Sequence, residues 1–302
     1  MKYVFLTAFR NESLILETFL REYVEMTRRA GISDRAVLNL VDDLSTDDSR
    51  QTIERFRTSE PSCKINVLSV PTNLGNQGAM FHGLAEIEVD PDDVLITLDC
   101  DGEDDIGEAH SIIELGKSNP EKVVLIERGR RADATAIKIF FTAYKLLFRL
   151  LTNQHTVPNN FMLIPGRYVP AIRRSPMVAV HLANGVLRLN LPSIVVSRDR
   201  RPRYGGQTTQ NGFMLLSHGL VGIMVFYEVV VAKVLAFVLA LAGVQAALLL
   251  FDVFSPSTRA SLLLGAMAAS LAAIGFLLCA ALAMIFKLVA FNLATGRAVP
   301  RS

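Results

Sequence analysis

Two acidic residues that stand two positions apart, Asp99 and Asp101, are the residues of this chain best suited to chemistry. They directly follow the apolar run Val94–Leu98, which predicts a buried β-strand. Carboxylates at positions i and i+2 beyond a strand end can reach one small cavity. Mg²⁺ is commonly held by one or two carboxylates together with phosphate oxygens and water. The pair therefore predicts a divalent-metal site, for Mg²⁺ or Mn²⁺, that would hold a diphosphate and stabilise it as it leaves.

The elements that must position this pair form a regular series. Five short apolar runs alternate with helical patterns over the first 130 residues: Tyr3–Thr7, Ala36–Val41, Lys64–Val70, Val94–Leu98 and Val123–Ile126. This order predicts an α/β domain with a mainly parallel sheet and helices on both faces. Such sheets bind ligands at the carboxyl ends of their strands. Acidic, amide and small residues follow four of the five runs, so they should converge on one edge of the sheet.

The C-terminal part of the chain has a different composition. Only six of the 60 charged residues lie after Glu228, and two long apolar runs occur there, Val229–Phe251 and Ala260–Phe286. A helix of about 20 apolar residues spans the hydrocarbon core of a bilayer. We therefore predict a transmembrane hairpin, with helices at about 229–251 and 260–287. The alternative is a pair of buried core helices.

Basic residues flank the hairpin more heavily than its loop, which contains only Arg259. The positive-inside rule then predicts an integral membrane protein of the bacterial inner-membrane type, with the catalytic domain and C-terminus in the cytoplasm. The predicted organisation is a cytosolic domain over residues 1–210, an interfacial connector over 211–228 and the hairpin with a short tail over 229–302. The Phe- and Leu-rich segment Lys138–Leu151 predicts either an interfacial helix or a core helix. We expect membrane lipid, and no nucleic acid, among the partners.

Four segments of the N-terminal part resemble, in order and spacing, the P-A-Y-N-E, V-D-D-G-S-T-D, N-x-G-x-x-x-A and D-x-D motifs of family 2 glycosyltransferases. The segments are Thr7-Ala8-Phe9-Arg10-Asn11-Glu12, Val41-Asp42-Asp43-Leu44-Ser45-Thr46-Asp47, Asn73-Leu74-Gly75-Asn76-Gln77-Gly78-Ala79 and Leu98-Asp99-Cys100-Asp101. The resemblance implies a GT-A fold, which is a Rossmann-like, mainly parallel sheet. Together with the hairpin, it is similar to polyprenyl-phosphate glycosyltransferases such as dolichol-phosphate mannose synthases and bactoprenol glucosyltransferases.

The resemblance implies a metal-dependent hexosyltransferase that moves a sugar, with inversion, from a nucleotide-sugar donor to a polyprenyl phosphate for cell-envelope glycans. It also assigns roles to individual positions. The donor nucleotide would contact Ala8, Asn11, Glu12, Asp42, Asp43 and Gly78. The metal would bind Asp99, Asp101 and Glu103, and the acceptor phosphate would meet Arg128, Arg201, Arg203 and Thr208. The residues closest to catalysis would be Asp99, Asp101, Arg128 and Asn160. Members of this group often self-associate, which implies a homo-oligomer.

Two positions depart from the family pattern. Asn160 stands where the D-F-R-L segment in the middle of the polyprenyl members has its proposed catalytic carboxylate. A sugar hydroxyl would need that base, whereas a phosphate acceptor is already largely ionised at neutral pH. Leu44 replaces the usual glycine of the second motif. Because leucine resists positive φ, this turn must differ from the family's or be strained.

Other functions remain open. A transferase for another lipid or glycan acceptor would share all four motifs, and Asn160 and Leu44 leave room for a catalytically weak membrane scaffold. A processive polysaccharide synthase is disfavoured, because its Q-x-x-R-W segment requires a tryptophan and this protein has none. A dinucleotide oxidoreductase would need G-x-G-x-x-G after the first strand, where Phe9-Arg10-Asn11-Glu12 stands instead.

Overall fold

The computed structural model describes residues 1–129, 135–155, 158–199, 201–205, 212–250 and 256–295. These residues form a seven-stranded sheet with the order β3-β2-β1-β4-β6-β5-β7. The strands are β1 (Tyr3–Phe9), β2 (Ala36–Asp42), β3 (Lys64–Ser69), β4 (Val94–Thr97), β5 (Val123–Arg128), β6 (Pro158–Pro165) and β7 (Ser193–Arg198). All five predicted strands are present, within two residues of their predicted ends.

Helices follow most of the strands and cover both faces of the sheet. They are α1 (Ser13–Arg29), α2 (Ser49–Ser59), α3 (Gly75–Glu86), α4 (Ala109–Ser118), α5 (Thr135–Thr152), α6 (Val169–Arg174), α7 (Pro176–Val180), α8 (Leu182–Arg188), α9 (Gly212–Met224), α10 (Tyr227–Leu250) and α11 (Pro256–Thr295). One core layer joins the sheet to α1, α2 and α4, and the opposite layer joins it to α3, α6 and α8. This arrangement confirms the predicted α/β class.

The sheet is mainly parallel, as predicted, but β6 runs antiparallel to both of its neighbours, β4 and β5. All eight of its residues are buried. Its pairing with β4 sets Met162 opposite Thr97. This register brings Asn159 and Asn160, at the start of β6, beside the loop that follows β4. The insertion of β6 therefore carries two amides from the middle of the sequence to the carboxyl edge of the parallel strands.

A third core cluster joins the α/β domain to the C-terminal helices. Phe148 of α5 and Val180 of α7 pack there with Phe226, Val230 and Val234. The Arg188 guanidinium also forms an ion pair with Glu228 at 2.5 Å, at the first turn of α10. Burial of one large apolar side chain contributes about 1.5–3 kcal/mol. The C-terminal helices are thus packed onto the domain as well as tethered to it.

Two of the described helices contain segments long and apolar enough to cross a membrane, Tyr227–Leu248 and Ala260–Cys279. Only 11% and 0% of their most apolar windows are buried. A core helix of a soluble protein would be mostly enclosed. In helix α5, which covers residues 138–151, Phe148 is fully buried in the core whereas Leu146 and Leu150 are 69% and 65% exposed. The interfacial location of this helix remains a prediction.

Candidate active site

Asp99 lies just beyond β4 and is held by side-chain amides from two other elements. Its Oδ1 accepts hydrogen bonds from Asn76 Nδ2 at 3.1 Å and from Asn160 Nδ2 at 3.0 Å. Gln77 extends this network, since its Nε2 donates to Asn160 Oδ1 at 3.1 Å and its Oε1 accepts from the Leu182 N–H at 2.7 Å. The predicted residues Asp99 and Asn160 are therefore in direct contact.

A buried carboxylate supports the loop that contains Asp99 and Asp101. Asp104 is buried, and its Oδ2 accepts from the Asp99 N–H at 3.3 Å. Its Oδ1 accepts from Asn159 Nδ2 at 2.9 Å, while Asn159 Oδ1 accepts from the Phe161 N–H at 2.9 Å. Because buried charges require such partners, this network holds the loop in one conformation against the start of β6.

Asp101 faces a different partner, the Arg203 guanidinium. Arg203 Nη1 lies 3.3 Å from Asp101 Oδ2, and Nη2 donates to Glu12 Oε1 at 3.0 Å. Arg203 thus joins the carboxylates of the first and fourth sequence motifs. A second predicted acceptor residue nearby, Arg201, pairs with Asp105 at 2.9 Å and Glu22 at 3.3 Å.

Residues 201–205, which we call the strap, lie across residues 99–105, which we call the acidic loop. The Tyr204 N–H donates to the Asp101 carbonyl at 3.1 Å, and the Tyr204 hydroxyl donates to Glu22 Oε2 at 2.7 Å. Beneath the ring lies Gly102, with φ of +86°, where an added Cβ would stand 2.6 Å from the nearest ring carbon. Only glycine suits both the backbone conformation and the space. Main-chain and side-chain contacts therefore fit the strap to this loop.

The first two motifs form one hydrogen-bonded unit at the ends of β1 and β2. Asn11 has φ of +55°, its N–H donates to Ser45 Oγ at 3.0 Å, and its Oδ1 accepts from the Thr46 N–H at 2.7 Å. Asp42, 1% exposed, accepts from the Ser45 N–H at 2.8 Å and pairs with Arg50. Asp42 is thus bound within the protein rather than directed to solvent.

The sequence predicts that the turn at Leu44, after β2, either differs from the turn of the family or is strained. The φ of Leu44 is +59°, in the left-handed region, and its side chain is 41% exposed. The turn is therefore strained. Asp43, immediately before it, is buried and accepts from the Leu74 N–H at 2.7 Å, which ties this turn to the start of α3.

Burial makes negative charge costly at several positions of the site. It raises the pKa of Glu12, against the opposing effect of Arg203, and the charge of Asp101 adds to the rise. It also raises the pKa of Asp43, although the N–H groups of Leu74 and Gly75 oppose it. The Cys100 thiol is enclosed, so its pKa lies well above its ordinary value and the group is neutral. A bound cation would favour the ionised carboxylates.

Several predicted residues have structural contacts or lie outside the described part of the protein. Gly78 is buried in α3, where an added Cβ would stand 2.7 Å from Leu74 Cβ. The Ala8 carbonyl accepts from the Cys100 thiol at 3.4 Å. Thr208 lies outside the described residues, and so does the side chain of Arg128 at the end of β5. Their predicted roles remain predictions.

Comparison with known protein families identifies the family to which this chain belongs. The model of glycosyl transferase family 2 matches residues 5–168, which is more than half of the chain. The chain belongs to this family. It is therefore a glycosyltransferase of the kind that uses nucleotide-sugar donors. A search of curated proteins found no match.

Solved structures of other transferases share the fold of this family 2 glycosyltransferase. One is the mannosyltransferase PcManGT from Pyrobaculum calidifontis in complex with GDP-Man and Mn²⁺, with 14% identity, a TM-score of 0.52, and coverage of 98% of this chain and 88% of that one. Another is glucosyl-3-phosphoglycerate synthase from Mycobacterium tuberculosis in complex with Mg²⁺ and UDP, with 14% identity, a TM-score of 0.53, and coverage of 74% and 79%. At these identities the likeness shows the fold alone.

The oxygen ligands of the acidic loop suit a hard divalent cation. Among the described residues, no three His, Cys, Asp or Glu side chains are grouped so as to hold a metal by themselves. Mg²⁺ does not require such a group, because phosphate oxygens and water complete its octahedron. Asp99 and Asp101 fit this mode. Glu103 lines a neighbouring cavity of about 380 Å³, and its role as a third ligand remains a prediction.

Sequence reasoning missed several residues of this site. Asn76 and Gln77 occupy unspecified positions of the third motif, so their types carried no signal. Asp104 lies within the acidic run, where its burial was not apparent. Tyr204 and Glu22 are 182 residues apart in sequence. In each case only the tertiary structure brings the partners together.

Proposed function

We propose that this protein transfers a sugar from a nucleotide-sugar donor to a polyprenyl phosphate, with inversion at the anomeric carbon. The main support is the strap. It carries Arg201 and Arg203 over the acidic loop and leads along the sequence toward α9 and the apolar C-terminal helices. An anionic acceptor that arrives from a bilayer would therefore meet guanidinium groups at the edge of the donor site.

In this mechanism a phosphate oxygen of the acceptor attacks the anomeric carbon and forms a new C–O bond. The bond from that carbon to the nucleoside diphosphate breaks, and its electron pair leaves with the diphosphate. No proton has to be removed, because the acceptor phosphate is already largely ionised. Asn160 cannot accept a proton as a carboxylate does, so its presence agrees with this acceptor chemistry.

The residues of this protein would orient both substrates. Asp99 and Asp101 would hold a divalent cation, and that cation would offset charge on the departing diphosphate. Arg203 lies beside this position, where its guanidinium bridges Asp101 and Glu12. Because charge-assisted hydrogen bonds to phosphate are strong, Arg203 would exchange a carboxylate for a phosphate oxygen when donor or acceptor binds.

The proposal also includes the membrane. Tyr227–Leu248 and Ala260–Cys279 would span it, and the exposed face of α5 with Leu146 and Leu150 would lie in its interfacial layer. The basic flanks would keep the catalytic domain and the C-terminus in the cytoplasm. The predicted domain boundaries at 210 and 228 and the homo-oligomer belong to this proposal.

The test is sugar transfer in detergent. Purified protein would be incubated with a panel of labelled UDP- and GDP-sugars, polyprenyl phosphate, and Mg²⁺ or Mn²⁺. An Asp101→Asn variant, which keeps the size of the side chain but removes its charge, provides the control. We expect metal-dependent label in the lipid phase that the variant loses, and a product with inverted anomeric configuration.

Three results would contradict the proposal. Label confined to the aqueous phase when soluble phosphorylated acceptors are added would indicate a different acceptor. Neither transfer nor nucleotide binding across the panel would indicate the scaffold function. Retention of configuration would refute the single displacement even if lipid product forms.

A further inference from the structure

A series of three hydrogen bonds connects the main chain of α8 to the carboxylate of Asp99. It begins at the Leu182 N–H, which donates to Gln77 Oε1 at 2.7 Å. Gln77 Nε2 then donates to Asn160 Oδ1 at 3.1 Å. Asn160 Nδ2 finally donates to Asp99 Oδ1 at 3.0 Å. We call this series the amide relay.

The direction of the relay follows from the chemistry of its ends. A main-chain N–H can only donate, and an ionised carboxylate can only accept. Each side-chain amide has one oxygen that accepts and one NH₂ group that donates. Gln77 must therefore turn its oxygen to Leu182, and Asn160 must turn its NH₂ group to Asp99. A flip of either amide would oppose two donors or two acceptors, so the relay permits one orientation.

Main-chain packing holds the relay in place. Asn160 is buried within β6, and its carbonyl accepts from Thr97 Oγ1 at 2.5 Å. Thr97 is the last residue of β4 and stands two positions before Asp99. The carboxylate and the amide that orients it are thus anchored to the same pair of adjacent strands.

From these contacts we infer that Asn160 and Gln77 are positioning residues, which orient Asp99 for the metal-bound diphosphate through the amide relay. The inference rests on the proposed function, because that function assigns the diphosphate to Asp99. Position 160 requires an amide in this protein. An aspartate there would offer no N–H to Asp99 and would place a second carboxylate about 3 Å from the first, where like charges repel.

The expected effect is on metal and donor binding rather than on folding alone. Replacement of residues that hydrogen-bond to a metal ligand without binding the metal themselves typically changes metal affinity or activity by about 10–100-fold. Gln77→Glu keeps the acceptor for the Leu182 N–H but removes the donor to Asn160. Asn160→Leu removes the donor to Asp99. We expect both variants to weaken Mn²⁺ binding by about 10–100-fold.

The matched control is Asn39→Asp. Asn39 is a buried asparagine of β2 that also joins a main-chain carbonyl to a second amide, since its Nδ2 donates to the Phe5 carbonyl at 3.1 Å and its Oδ1 accepts from Asn66 Nδ2 at 3.0 Å. This amide pair does not touch Asp99. The control variant should lower the unfolding temperature and leave Mn²⁺ affinity as in the wild type.

The measurement is Mn²⁺ binding by electron paramagnetic resonance to the full-length protein in detergent, with UDP or GDP present, beside thermal unfolding of each variant. Weaker Mn²⁺ binding in Gln77→Glu and Asn160→Leu at unfolding temperatures no lower than that of the control would support the relay. Unchanged Mn²⁺ affinity in both would overturn it. Higher transfer activity in Asn160→Asp would also overturn it, because position 160 would then serve as a catalytic carboxylate.

The same measurements distinguish failure of the proposed function from failure of the amide relay. A wild-type protein that binds Mn²⁺ with neither nucleotide would refute the metal-bound donor and the relay together. A wild-type protein that binds Mn²⁺ but transfers no sugar to lipid would refute only the acceptor, and the comparison of variants would still decide the role of Gln77 and Asn160.

Discussion

Replacement of Gly102 by alanine should displace the strap from the acidic loop. Gly102 has φ of +86°, and an added Cβ would lie 2.6 and 2.7 Å from carbons of the Tyr204 ring. Carbon atoms in contact are normally about 3.5–4.0 Å apart. The ring cannot remain where it is, so we expect the Tyr204 hydroxyl to leave Glu22 and the strap to shift relative to the Asp101 carbonyl.

The magnitude of this effect has two parts. A left-handed conformation costs an L-residue about 1–2 kcal/mol, of which about 0.4–1 kcal/mol is returned because alanine has fewer unfolded conformations than glycine. The hydrogen bond from Tyr204 to the Glu22 carboxylate, 2.7 Å long, is of the charged kind that contributes about 1.5–3 kcal/mol. Gly102→Ala should therefore destabilise the protein by about 2–4 kcal/mol, with the larger part from the displaced ring.

The assay is thermal unfolding in detergent, together with trypsin cleavage of the Arg203–Tyr204 bond as a probe of strap opening. A double-mutant cycle with Tyr204→Ala separates the two parts, since without the ring only the backbone cost of Gly102→Ala remains. We expect faster cleavage in Gly102→Ala. If the substitution costs equally much with and without the ring, the contact between Gly102 and Tyr204 does not hold the strap and the reasoning is refuted.

Three further predictions concern single residues. Burial raises the pKa of Asp43, so the folded protein loses stability relative to the unfolded state as the pH rises from the ordinary aspartate range through that pKa. Asp43→Asn should therefore unfold at a higher temperature than the wild type at pH 7. A difference in unfolding temperature between the two proteins that stays constant down to the ordinary aspartate range would contradict this. Leu44→Gly should raise stability by about 0.5–1 kcal/mol in chemical denaturation, because it relieves a φ of +59°; a loss would show that the side chain packs more than it strains. Arg188→Met removes contacts to Glu228 and to the Val225 carbonyl and should lower the free energy of unfolding by about 1–3 kcal/mol, measured by thermal unfolding. The control Arg174→Met, on the exposed surface, should lower it little. Equal losses of stability in the two variants would contradict the role of Arg188.

The parallel core and the acidic loop could be predicted because their signals are local. The run Val94–Leu98 indicated a strand, and the polar residues that follow it in sequence indicated the edge of the sheet where the parallel strands end. The tension at Leu44 was also predictable, because a β-turn that normally contains glycine demands positive φ from any replacement. The structure confirms the strained form, with the backbone in the left-handed region.

The supporting residues could not be predicted, because their meaning depends on contacts between distant segments. Strand β6 is bounded by Pro158 and Pro165, and its antiparallel insertion between β4 and β5 follows from no local period. Without that insertion, Asn160 is only a departure from a family motif. Its contact with Gln77 spans 83 residues of sequence.

The short connection between α7 and α8 has a mechanical consequence. Val180 packs in the cluster that includes Phe226 and Val230 of the C-terminal helices, and Leu182, two residues later, is the origin of the amide relay. If the amide relay orients Asp99 as we infer, a tilt of the apolar helices against the sheet would move the α7–α8 connection and, through the relay, the Asp99 carboxylate. If these helices span a bilayer as proposed, its thickness and lateral pressure would reach the Asp99 site as mechanical strain, with no ligand as messenger.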